Sequence, residues 1–94
     1  MAGRDDYRKI FEISESMLLA AREGRWDDLT ALEKDYTPVV FAASPDESVP
    51  AELIAAILDN DAKIKSLVKA RMDDLRGALA SIAQSIKLNQ AYRP

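Results

Sequence analysis

The sequence predicts an all-α fold, an antiparallel three-helix bundle with a long C-terminal helix. Three observations carry that prediction. Apolar residues recur every three to four positions along most of the chain, glycine and proline are few (3 and 4), and the stretch 51–88 holds no proline and a single glycine, Gly77. With 94 residues, 48% of them hydrophobic and 31% charged, the chain is long enough for one small domain with its own core.

The first helix is expected over 4–23. Tyr7, Ile10, Phe11, Met17, Leu18 and Ala21 form one stripe, with Ser14 filling the turn between them. Gly24 ends it, because glycine takes the left-handed conformation without a Cβ clash. The second helix is expected over 27–43. Asp27 and Asp28 suit its first turn, where free amides and the helix dipole favour negative charge. Leu29, Leu32, Tyr36, Val39 and Val40 continue a stripe, and Pro38 should bend or end the helix within about a turn of Thr37, since it has no amide to donate. The segment 44–50, with two prolines, reads as the one substantial loop. Ser48 is the expected cap of a third helix over 49–88, with Pro50 in its first turn.

That third helix carries two rows at heptad spacing. Ile54, Asp61, Val68, Leu75 and Ile82 form one; Leu58, Met72, Leu79 and Ile86 form the other, interrupted by Lys65; Ile57 and Ile64 widen the stripe in its first half. Asp59 with Lys63 and Lys69 with Asp73 are expected as solvated ion pairs four residues apart. Asp61, on an inner row, either fixes register or sits at the solvent edge. At about 1.5 Å per residue, a rod of about 60 Å outruns partners of about 25 to 30 Å. Leu75, Leu79, Ile82 and Ile86 then lack an intramolecular partner, and burying each is worth roughly 1.5 to 3 kcal/mol. The alternative is a break near Gly77 that folds the end back as a fourth helix.

Composition excludes much chemistry. Without Cys or His there is no disulfide, thiolate, imidazole base or ordinary zinc site. A net charge of −3 argues against direct nucleic-acid binding. No apolar run approaches the length of a membrane span, and Met1 to Asp6 is polar and acidic rather than a signal peptide, so the expected location is cytoplasmic. The pairs Asp5–Asp6, Asp27–Asp28, Asp59–Asp61 and Asp73–Asp74 are spread along helices and do not converge on a metal or an acid–base site. Ser14, Ser16, Ser66, Ser81 and Ser85 have no base to activate them, and no glycine-rich loop cradles phosphate. No catalytic residue, cofactor or metal is therefore expected. Tyr7, Phe11, Trp26 and Tyr36 read as core; Phe41 and Tyr92, at or beyond the ends of elements, read as exposed to a partner.

The run AAREGRWDDLTALEKDY (Ala20 to Tyr36), with its Gly-Xaa-Trp-Asp junction, and LDNDAKIKSLVKARMDDLRGAL from Leu58, followed by LNQAY, together resemble the FliT family of flagellar export chaperones. Leu58, Asp59, Asn60 and Asp61, then Arg71, Asp73 and Leu75, then Leu88, Asn89, Ala91 and Tyr92 agree with that pattern in type and spacing. The resemblance implies a chaperone of bacterial flagellum biogenesis that binds the C-terminal helical region of the filament-capping protein. It also implies delivery of that client to the flagellar export ATPase complex and, in some members, restraint of the flagellar master transcription activator through protein contacts. Family members often carry a further C-terminal helix that can cover the binding surface; a sequence ending at Pro94 leads us to expect that surface open. The partner-binding residues expected are Ile57, Ile64, Val68, Leu75, Leu79, Ile82 and Ile86, with Val40 and Phe41 on the opposite wall of a groove. The rival readings are a purely regulatory binding protein whose target is the transcription activator and a homodimeric coiled coil or adaptor without an export client.

Overall fold

The computed structural model describes residues 2–43 and 48–91. Three helices follow in the expected order, α1 (Ala2–Arg22), α2 (Trp26–Ala42) and α3 (Ala51–Ala91). The fold class is the expected all-α bundle. α1 and α2 are joined by a tight hairpin whose geometry follows from one residue. Gly24 adopts φ 71°, the Arg25 amide donates to the Ala20 carbonyl at 2.8 Å, and the Gly24 amide donates to that of Ala21 at 3.3 Å. This is the paired bond pattern of a Schellman end, in which only glycine is free of strain at the left-handed position.

α2 continues one turn past Pro38 and stops at Ala42, where the Ala43 amide closes the end by donating to Val39 and Val40 at 3.0 and 3.3 Å. α3 starts two residues later than its sequence suggested. Pro50 precedes the helix rather than entering it, and its carbonyl accepts from the amides of Leu53 (3.0 Å) and Ile54 (3.4 Å). Val49, expected as the first helical residue, is instead buried ahead of it. At the other end α3 runs unbroken through Gly77, so the fold-back alternative is overturned. A single glycine costs about 1 kcal/mol in a helix, too little to break one this long.

α1 and α3 run parallel, with α2 antiparallel to both. Asn60 of α3 bonds Ser14 and Glu15 of α1, and Arg71 of α3 stacks over Trp26 at the start of α2, 4.6 Å from the ring centre. Met17, Leu18, Ala20 and Ala21 of α1, Leu29 of α2 and Ile64 of α3 form the core beneath the hairpin. Both α2 and α3 pack on α1, while their own backbones do not approach closely. A compact chain of this length has a radius of gyration of about 12 Å. The observed value is 19.6 Å, with extents of 73 × 21 × 20 Å, because α3 continues well beyond the hairpin.

Candidate binding surface

Every residue from 72 to 90 is exposed. Arg71 and Trp26 mark the level of the hairpin, where α1 ends and α2 begins, so the rest of α3 projects for about 28 Å at 1.5 Å per residue. Met72, Leu75, Leu79, Ile82 and Ile86 lie along that projection at alternating steps of three and four and are 43–64% exposed. Their stripe continues the one that Ile57, Ile64 and Val68 present to α1 lower down, because a 3.6-residue period returns each of these positions to the same side. The surface that makes the core in the first half of α3 thus runs on with no other described residue covering it.

Ile57 and Ile64 belong to the covered part. Both are buried in the bundle, and Val68 is half-buried. Val40 lines an apolar hollow of about 210 Å³ between the C-terminal end of α2 and the start of α3, together with Tyr7, Ile10, Tyr36, Ala43, Ile54, Ile57 and Leu58. Phe41, one position on and about 100° further round the helix, does not line it and stands 86% exposed. Leu58 and Met72 were legible only as members of a heptad row, and the structure leaves both exposed.

A second hollow of about 390 Å³ continues the first upward and shares Tyr36 with it. Met17 and Val68 supply apolar surface, and Glu33, Asp61, Lys65 and Lys69 make its walls polar. Asp61 takes the solvent-edge alternative: its carboxylate holds the Lys65 ammonium at 2.8 Å. Burial, followed by the nearby Asp61 charge, raises the Tyr36 phenol above its ordinary range, and the hydrogen bond and charge of Asp61 raise Lys65. The expected Asp59–Lys63 pair is present at 2.8 Å, whereas Asp73 lies 3.8 Å from Arg76 instead of pairing with Lys69.

The buried polar group between helices is one the sequence reading missed. Asn60, 5% exposed, donates to Ser14 Oγ at 3.1 Å and to a Glu15 carboxylate oxygen at 3.2 Å, and the Ser14 hydroxyl donates to the Phe11 carbonyl at 2.7 Å. Its only signal was position, since Asn60 falls between Ile57 and Ile64 on the inward stripe. The aromatics Tyr7, Phe11, Trp26 and Tyr36 are half-buried rather than fully enclosed, and Tyr92 lies outside the described residues. Among the described residues no group of three or more acids converges to hold a metal, and no helix is long and apolar enough to cross a membrane.

The family model described as "Flagellar protein FliT" matches residues 4–94. The chain belongs to the FliT family. Relatives bearing the name flagellar protein FliT include one from Escherichia coli, 34% identical over 92% of this chain and 79% of its own length. Those from Yersinia enterocolitica and Cronobacter sakazakii are each 31% identical, covering 93% and 94% of this chain and 81% of their own lengths. No solved structure matches. In this FliT-family chain the apolar stripe of α3 and the two hollows beside α2 form one track, walled on both sides at its lower end and open above the hairpin.

Proposed function

We propose that the chain is a cytoplasmic flagellar export chaperone that holds the C-terminal helical region of the filament-capping protein along this track. The observation that carries the reading is the exposed stripe Met72, Leu75, Leu79, Ile82 and Ile86 on the upper half of α3, which no other described element covers. A stripe with three–four spacing is complementary to the apolar face of another helix, and helix-in-groove capture needs no catalytic group. Val40, Ile54 and Leu58 supply a second apolar anchor where α2 still provides a wall. Sheltering such a segment before export keeps its apolar face from self-associating. Delivery to the export ATPase complex and restraint of the master transcription activator belong to the same proposal and rest on protein contacts alone.

Calorimetry and mass measurement with the C-terminal segment of the capping protein test the reading. A complex with one segment per chain, with heat evolved and a gain in helical signal, is the expected result. A chain that forms a stable dimer through its rod and takes up no segment overturns it in favour of the homodimeric coiled coil.

A further inference from the structure

The middle of the track is not apolar, and its charges are not all matched. Asp61 and Lys65 neutralise each other at 2.8 Å. Glu33 on the α2 wall and Lys69 on the α3 wall line the same hollow, and among the described residues neither side chain takes part in an ion pair. Their heights along the track differ. Trp26 faces Arg71, and Tyr36 shares its hollow with Asp61, so antiparallel counting puts Glu33 level with Ile64. Lys69 then stands five residues higher, about 7.5 Å, within about 1.5 Å of the rise between residues i and i+4 of a helix lying in the track, a gap that the long lysine side chain spans.

We infer that Glu33 and Lys69 read the direction of the captured helix. A helix carrying one basic and one acidic residue four positions apart satisfies both walls in only one orientation: its base must lie low, against Glu33, and its acid high, against Lys69. An acid-then-base order from N- to C-terminus selects a helix antiparallel to α3; a base-then-acid order selects a parallel one. The reversed placement sets acid on acid and base on base in a partly enclosed hollow, where like charges discriminate more than they do in open water. The apolar anchors above and below cannot choose, because a heptad stripe reads alike in both directions. Leu58 and Leu79 lie about 16 and 15 Å along α3 on either side of Lys69, so the charged turn belongs near the middle of the captured segment.

This inference rests on the proposed capture of a helix and adds direction to it. Its test uses two synthetic amphipathic peptides with the same leucine stripe, differing only in the order of one central Glu and Lys four positions apart. Each carries a spin label at its N-terminus, and Gln84→Cys on the exposed rod carries a second; the chain has no native cysteine to interfere. The expected result is opposite orientations for the two peptides, read as a short label-to-label distance for one and a long distance for the other. The double variant Glu33→Lys/Lys69→Glu should exchange the two distances. Both substituted residues are exposed, so the variant should melt as the parent does. If both peptides bind in the same orientation, or in mixed orientations that the double variant leaves unchanged, the inference falls. The capture reading then still stands, provided the capping-protein segment binds. If neither peptide nor that segment binds, both fall.

Discussion

Replacing Leu79 and Ile82 together by aspartate separates a binding surface from a core. The two side chains are 64% and 56% exposed in the chain alone, so neither contributes much to its own fold. Full burial of such a side chain is worth roughly 1.5 to 3 kcal/mol, and a client helix can cover only the part still exposed, which leaves about 1 to 2 kcal/mol for each residue. Losing both removes about 2 to 4 kcal/mol of association, a factor of about 30 to 700 in affinity. Two carboxylates facing an apolar partner add a desolvation cost that drives binding below detection. The cost to the isolated helix is small, about 0.7 kcal/mol or less per residue from propensity. Titration calorimetry with the capping-protein segment should therefore show no heat, while circular dichroism and the melting midpoint stay near the parent values. Ile64→Asp is the control, since that side chain is buried and its replacement should unfold the bundle. Parent-like affinity in the folded double variant would refute the surface assignment; an unfolded double variant would show that these residues serve the core.

Gly24 and Gly77 should respond in opposite directions to alanine. Gly77→Ala meets nothing within 4 Å and should slow amide exchange around it about fivefold, equivalent to about 1 kcal/mol of helix propensity, whereas Gly24→Ala forces a Cβ onto φ 71° and should lower the urea midpoint by an amount equivalent to about 1 to 2 kcal/mol. Ser14→Ala removes the acceptor of a buried Asn60 amide bond and should cost about 1 to 3 kcal/mol in urea unfolding, whereas Ser16→Ala at an exposed position should be nearly silent. The Tyr36 phenol titrates higher in the folded chain than unfolded, so its contribution is complete below the ordinary phenol range near pH 10 and is lost as pH rises through the folded value. Tyr36→Phe should therefore flatten the fall of melting temperature above about pH 10, with Lys65, raised in the same sense, leaving a residual slope.

Helix number, order and the hairpin at Gly24 were legible because each follows from local chemistry: a 3.6-residue period, a residue free to adopt positive φ, and a proline that stops α2 one turn later. The start of α3 was misplaced because Ser48 and Pro50 suit the first helical turn in isolation, whereas Val49 is buried ahead of the helix. The unequal helix lengths were enough to expose Leu79 and Ile82. They were not enough to tell the buried Ile57 and Ile64 from the exposed residues above them, because the same stripe serves α1 below the hairpin and lies open above it, and only the position of the hairpin divides the two. Asn60 went unnoticed as a core residue for a related reason. A polar residue on an inward stripe is informative only once its partners are known, and Ser14 and Glu15 lie 46 and 45 positions away.

An exposed helical projection raises a question of its own, since isolated helices of this length are marginal in water. The costly step is nucleation, and here the first half of α3, held against α1 through Ile57, Asn60 and Ile64, supplies it. Each further turn then needs only propagation, which Ala78, Ala80, Ala83 and Gln84 favour, and Gly77 is the weak point where the gain is smallest. The charges on the projection balance, Asp73 and Asp74 against Arg76 and Lys87, so no net field repels a client of either sign. The result is a helix already formed before its partner arrives. Binding therefore orders the client alone, and the entropy cost of shaping the receiving surface is met during folding rather than at the moment of capture.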